Sequence, residues 1–276
     1  MKLKFKNVII LYNPEKLLSK QTSDNICKWL IKNNFNCKIL TSFDRPVNAD
    51  VCIVIGGDGT ILSVGRKIVK YNIPVIGVNI GHLGFLAEFD CENIIFQLEN
   101  LFLKSEYKVE QRILINVDYF KKNRKIKNIT GINDCIIHSG SSTRAIAIIL
   151  KINNNIITEY IGDGIIVSTP TGSTAYSLAA NGPILYPDLD NFIITPICPH
   201  TLSHRPIVVS SDNIIVLELA KYKQKQESIM AVDSQEIFHF ENGDRVVISK
   251  SKFKLNLITS IQKNYYNILR DKLKWG

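Results

Sequence analysis

A chain of 276 residues, 45% hydrophobic and 21% charged, has the balance of an ordinary soluble globule and room for one large or two modest domains. Its formal charge of +9 would suit anionic partners, but the excess is 26 lysines against 8 arginines in a chain rich in Ile and Asn, a bias that an AT-rich genome produces without function. No basic cluster interleaves with aromatics, no apolar run could span a bilayer, and Asn13-Pro14 cuts short the apolar stretch of the N-terminus, so nucleic-acid binding, membrane insertion and secretion are not expected. The six cysteines (27, 37, 52, 91, 135 and 198) have no CxxC spacing and sit mostly in apolar segments, as buried reduced thiols of a cytoplasmic protein would.

In chain order, the first hundred residues alternate strand and helix signals. Strands are predicted at Val8 to Leu11, Cys37 to Leu40, Val51 to Ile55 and Val75 to Val78. Helices are predicted at Asp24 to Lys32, Ile61 to Lys70 and Asn93 to Leu103. This alternation implies an α/β domain with a doubly wound parallel sheet. Between its third strand and second helix lies GGDGT, where Gly56, Gly57 and Gly59 permit a sharp turn ahead of Thr60. Such a turn aims backbone N–H groups and a helix N-terminus at an anion, and Asp58 there needs a task, such as taking a proton or helping to hold a cation.

From about residue 107 short β-rich runs follow one another: Ile113 to Phe120, Ile132 to His138, Ala145 to Ile152, Ile156 to Ile161 and Gly164 to Ser168. Ile214 to Leu219, Met230 to Val232 and Val246 to Ser249 come later, and KKNRK and NNN read as turns. The expected division is an α/β domain over residues 1–106, an antiparallel β domain over 107–254, and a closing segment, about 255–276, that packs back on the first as an amphipathic helix from Asn264 to Trp275. Within the β-rich half lies GDGIIVSTPTGSTAYSLAANGPIL, from Gly162 to Leu185. Pro170 and Gly172 make a turn, Ser173 or Thr174 can cap a short helix to Ala180, and hydroxyls with Tyr176 beside Asp163 suit a polar planar ligand.

GGDGT, GHLGF, the Asn133-Asp134 pair and TPTGSTAYSLAANGPIL together resemble the NAD kinases in order and spacing, over roughly residues 50 to 250. GGDGT alone is shared with phosphofructokinase-like and lipid kinases. The resemblance implies transfer of the ATP γ-phosphoryl to the adenosine 2′-hydroxyl of NAD, with Asp58 as the base. It makes Gly56, Gly57, Gly59 and Thr60 the phosphate-facing turn, with Asp58 and Gly59 also at the NAD site. It lays Phe85 against a nucleobase, has Asn133 and Asp134 hydrogen-bond the dinucleotide, and puts Asp163 on the nicotinamide side. Thr174, Ala175, Tyr176, Ser177, Leu178 and Ala179 would line the NAD pocket, near Arg144, Ile161, Asp233 and Gln235. It also implies magnesium carried in with ATP, no tightly bound cofactor, and a homodimer or homotetramer, since relatives build the pocket across a subunit contact.

The sequence departs from the family pattern where Ala179 replaces a serine, Asn181 a glycine, Ile161 an arginine and Ser234 the glycine of a DGQ-like motif. Cys198, His200 and His204 have a zinc-like spacing, but Pro199 and the following RPIVV suggest an extended loop, and the family's similar CPH segment carries no structural metal. Two other functions share parts of the pattern: a lipid kinase with the same glycine turn, against which the TPTGSTAY stretch argues, and a non-catalytic nucleotide sensor, against which Asp58 argues.

Overall fold

The structure, a computed structural model, describes residues 5–43, 47–81, 84–140, 144–220, 228–262 and 264–275. The chain forms two compact units, residues 1–111 with 253–276, and residues 112–252. No helix of the described residues is long and apolar enough to cross a membrane.

The first unit begins with β1 (Asn7–Tyr12), α1 (Leu17–Lys32), β2 (Asn36–Leu40), β3 (Val51–Ile55), α2 (Asp58–Ile68), β4 (Val75–Asn79), β5 (Phe89–Asp90) and α3 (Ile94–Leu98). The strands pair in parallel in the order β4, β3, β1, β2, with β5 beside β4. Every residue of β3 and β4 is buried, because helices cover both faces of the sheet. On one face Ile26 and Leu30 of α1 and Ile94 and Leu98 of α3 share a core with Val8, Ile10, Ile53 and Ile76. On the other, Gly77 of β4 lies against Ile61 of α2 and the Leu86 carbonyl, too close for any Cβ.

Two helices differ from their sequence expectation. α1 begins seven residues before Asp24, directly after a turn in which the Asn13 side chain accepts the Glu15 N–H at 3.0 Å. Leu17 and Leu18 are exposed, so the first turn carries no apolar stripe to announce it. The helix expected over Asn93 to Leu103 is α-helical only to Leu98; Glu99–Leu103 is a π turn, closed by the Lys104 N–H donating to the Glu99 carbonyl at 3.2 Å.

The strand β6 (Tyr107–Lys121) carries the chain into the second unit. There follow β7 (Arg124–Gly131), β8 (Asp134–His138), β9 (Ile146–Ile152), β10 (Asn155–Gly162), β11 (Gly164–Ser168), α4 (Tyr176–Ala179), β12 (Asn191–Ile197), β13 (Ile207–Ser210), β14 (Ile215–Leu219), β15 (Ser228–Val232), β16 (Glu236–Phe240) and β17 (Asp244–Ser260). One antiparallel sheet has the order β10, β9, β14, β17 and the other β13, β12, β11, β8, β15, β16. Inward side chains such as Leu150, Val167, Leu217 and Phe240 form a common core, as in a sandwich. β8 and β11 are buried on their other face too, where Ala180 packs on Ile136, Ile166 and Ile197. That covering places the TPTGSTAY segment on the outer face of the sheet.

β7, β12, β13 and β16 are strands the sequence did not announce, and β17 is far longer than Val246 to Ser249. The lysines of KSKFKLNL mask an alternation in which Leu255 and Leu257 point inward. The end of β17 belongs to the first unit, where Leu257 pairs in parallel with Val75. α5 (Tyr265–Leu273) follows, capped by the Asn264 side chain, which accepts the Asn267 N–H at 2.9 Å. Cys52 and Cys135 are buried, Cys27, Cys37 and Cys91 half-buried, and Cys198 is exposed, contrary to the expected burial.

Candidate active site

In the first unit, Gly56 and Gly57 end β3 and Asp58 opens α2, so the glycine turn is a helix N-terminus whose first amides have no intrahelical partner by construction. A Cβ at Gly56 would strike the Thr60 side chain. Asp58 Oδ2 accepts the Phe85 N–H at 2.9 Å, and Oδ1 accepts the Leu86 and Ala87 N–H groups at 3.1 and 3.3 Å. Gly84 lies directly against this carboxylate, where a Cβ would collide with it. An ionised carboxylate offers about four lone-pair sites. Three of these are taken by the Phe85, Leu86 and Ala87 amides. Phe85 is half-buried, with the Lys272 ammonium of α5 5.8 Å from its ring centre. His82 and Leu83 of GHLGF lie outside the described residues.

In the second unit the Asn133-Asp134 pair is held from two sides. Asp233 Oδ1 accepts the N–H groups of Ile132, Asn133 and Asp134 at 3.1, 2.7 and 3.2 Å, and its Oδ2 accepts that of Ile132 at 2.9 Å. From the other side Thr169 donates its hydroxyl to the Ile132 carbonyl at 2.6 Å and its N–H to the Asn133 carbonyl at 2.8 Å, while Gly172 packs on the Asn133 backbone too tightly for a Cβ. Asp233 therefore clamps backbone. It is 5% exposed, and what its carboxylate holds is the backbone that carries Asn133 and Asp134. Asn133, half-buried, makes no side-chain hydrogen bond among the described residues.

Asp134 is 3% exposed, and burial first, the Asp233 charge second, push its carboxyl up to about 7. In the unfolded chain the same group titrates near 3.8. Between those values the folded protein holds a proton the unfolded chain has released, so stability is full below the unfolded value and falls as pH rises through the folded one. Urea midpoints measured from pH 4.5 to 8 are expected to decline with pH in the wild type and to flatten in Asp134→Asn; parallel slopes would show that Asp134 is ionised throughout.

The TPTGSTAY segment divides by exposure. Ser173 and Ser177 are fully buried. Ser173 neither caps a helix nor faces solvent: it donates to the Pro170 carbonyl at 2.6 Å and accepts the Leu185 N–H at 3.1 Å. Thr174 likewise donates back to Thr171 at 3.3 Å, and α4 has no side-chain cap, which corrects the capping expected of either residue. Ser177 shares a hydrogen bond with Thr195 at 2.9 Å. Thr174, Ala175 and Leu178 are half-buried and Tyr176 and Ala179 exposed, so these present the accessible surface.

The expected NAD residues of this unit fall into two groups. Asn133, Asp134, Asp233, Gln235 and the segment after Ser168 gather where Ser168 pairs with Asp134. Arg144, Ile161 and Asp163 gather at the opposite end of β8 and β11, where Gly164 pairs with His138 and Gly162 with Ile146. Four residues of strand put the two ends about 13 Å apart. Asp163 is exposed and accepts the Cys198 thiol, which with its charge raises the thiol's pKa. Asn181 and Ser234, the residues standing for family glycines, have φ of 64° and 54°, in the left-handed region that favours glycine. Gly84, Thr169 and Lys272 were not singled out from the sequence. The first two lie inside the quoted motifs, whereas nothing near Lys272 signals its approach to Phe85.

Two family profiles match the chain, the ATP-NAD kinase N-terminal domain over residues 43–107 and the ATP-NAD kinase C-terminal domain over residues 132–260. An NAD kinase of Geotalea daltonii is 41% identical over 84% of this chain and 81% of its own length. One from a Thermoanaerobacter species is 37% identical over 97% and 99%, and one from Clostridium botulinum 38% over 98% and 97%. Yeast NADH kinase complexed with NADH has a TM-score of 0.88 at 23% identity, covering 99% of this chain and 88% of that one. An NAD kinase from Archaeoglobus fulgidus in complex with ATP has a TM-score of 0.78 at 24% identity, covering 98% and 100%. At those identities the likeness is one of fold.

Proposed function

The chain belongs to the NAD kinase family, and from that membership we propose how it transfers the γ-phosphoryl group of ATP to the adenosine 2′-hydroxyl of NAD, giving NADP. Asp58 takes the hydroxyl proton, the oxygen attacks the γ-phosphorus, and ADP leaves. The observation that carries the assignment is the carboxylate held by the Phe85, Leu86 and Ala87 amides at the start of α2. Within the turn the Gly56 N–H donates to the Val78 carbonyl and the Thr60 N–H to the Gly57 carbonyl, both at 2.9 Å, so the Gly57 and Asp58 amides at the start of α2 are the ones that would meet the phosphates. Asn133, Asp134 and the accessible residues of the segment from Thr174 to Ala179 take the dinucleotide.

Among the described residues no group of three His, Cys, Asp or Glu side chains is placed to cage a metal. Magnesium therefore fits as an ion carried on the nucleotide's own oxygens, where it would offset their charge. The separation of Arg144, Ile161 and Asp163 from Asn133 and Asp134 favours a homodimer or homotetramer, in which the first group completes a neighbouring copy's pocket. A cytoplasmic location agrees with NAD and ATP as substrates.

Incubation of the purified protein with ATP, Mg²⁺ and NAD, with NADP read by an NADP-specific dehydrogenase, tests the reaction. NADP formed in proportion to enzyme is the expected result. NAD bound without turnover would favour the nucleotide sensor instead.

A further inference from the structure

We propose that Glu88 is a positioning residue for phosphoryl transfer, holding the amides of residues 85–87 in line with Asp58 from the end of β17; the inference rests on Asp58 being the base. Glu88 is 6% exposed and stands between the loop that carries those amides and β5. Its Oε1 accepts the Ser260 N–H at 3.0 Å. Both residues belong to the first unit.

The loop does not set this alignment by its own backbone. It opens on glycines: Gly81 has a φ of 121°, and Gly84 lies bare against the Asp58 carboxylate. Glycine brings the greatest backbone freedom, so the direction of the next three N–H groups is set by what surrounds them. Two of those groups share one carboxylate oxygen, at 3.1 and 3.3 Å, which requires the backbone to curl around it. Leu86 and Ala87 are buried, and Phe89 pairs in parallel with Val78, so residue 88 is the last position before the chain rejoins the sheet. At so buried a position an apolar side chain is the ordinary choice, and a carboxylate is costly unless its oxygens are hydrogen-bonded. One of its partners is a backbone N–H 172 residues further on, at the last residue of β17. From there the chain turns into α5: the Ser260 hydroxyl accepts the Gln262 N–H at 3.1 Å, and Asn264 caps the helix. The same closing segment reaches the loop a second time, through Lys272 over the Phe85 ring. Placement matters because a shift of about 1 Å in a reacting group can cost about 10²-fold in rate.

Steady-state kinetics of Glu88→Met and Glu88→Gln, each alone and in the Asp58→Asn background, test the assignment. Methionine keeps the side-chain length and suits a buried position but leaves the Ser260 N–H unpaired, whereas glutamine retains an acceptor oxygen. Glu88→Met is expected to lower kcat by about 10- to 100-fold with KM for NAD and ATP within about 3-fold. Glu88→Gln is expected to stay within about 3-fold of wild type, the rescue that a hydrogen-bond acceptor provides. In the Asp58→Asn background Glu88→Met should cost nothing further, since a base that is absent cannot be misplaced. A loss that persists undiminished in that background, an equal loss in Glu88→Gln, or an unchanged kcat in Glu88→Met would each overturn the proposal. So would a Glu88→Met chain that no longer binds ATP, which would make Glu88 a residue of the fold alone. Asp58→Asn with kcat near wild type is a different failure: it would remove the base itself, whatever Glu88 does.

Discussion

Asp58→Asn is expected to lower kcat by roughly 10²–10⁴-fold, the range a positioned base contributes. The substitution does two things at once. It removes the proton acceptor, and it replaces one acceptor oxygen with an amide NH₂ facing the N–H groups of Phe85, Leu86 and Ala87. At least one of those bonds is lost, and an unpaired buried donor costs about 1–3 kcal/mol. A fall in activity alone therefore does not separate chemistry from displacement of the loop that carries Phe85. Dissociation constants for NAD and ATP, measured beside kcat, do separate them. Loss in kcat with both constants within about 3-fold supports the base, since a group acting only in the transition state leaves ground-state binding alone. A kcat within 10-fold of wild type would remove Asp58 from the chemistry. Weakened nucleotide binding with a small change in kcat would make it a scaffold for residues 84–87.

The second large effect is expected at Asp233, which a ligand need not touch. Asp233→Ala strips the acceptor from the N–H groups of Ile132, Asn133 and Asp134, all in or beside a buried turn. At about 1–3 kcal/mol for each unpaired donor, the loss is roughly 3 kcal/mol or more, a fall in Tm of the order of 6–12 °C for a unit of this size. The turn presents Asn133, so KM for NAD should rise more than kcat falls. Asp233→Asn retains one acceptor oxygen and should recover part of the stability. The Asp134 carboxyl responds too: without the neighbouring charge its pKa drops from about 7, although burial, the larger cause, remains. A variant with wild-type Tm and unchanged KM would show that Thr169 and Gly172 hold the turn unaided.

The strands around the glycine turn were legible because fully buried parallel strands read as unbroken apolar runs; β3 is Val51–Ile55 as its sequence suggests. β17 was not, because each residue has only one face to bury and lysines fill the other. The residues of GGDGT and TPTGSTAY announced a nucleotide-handling chain, but not which of them reach the ligand. The partners of the Ser173 and Ser177 hydroxyls, Pro170, Leu185 and Thr195, are brought to them by the fold and could not be read from the motif.

By itself the sequence determined what local chemistry encodes: an α/β half, a β half, a glycine turn holding one acid, and the order of motifs that marks the family. Tertiary structure decided the rest. The Asp58 carboxylate meets amides 27 to 29 residues away, and Asp233 meets amides about 100 residues away. Neither distance leaves a periodic signal, because a backbone N–H is the same in every residue but proline. A side chain that recognises such a group selects a place in the fold, not a type of neighbour.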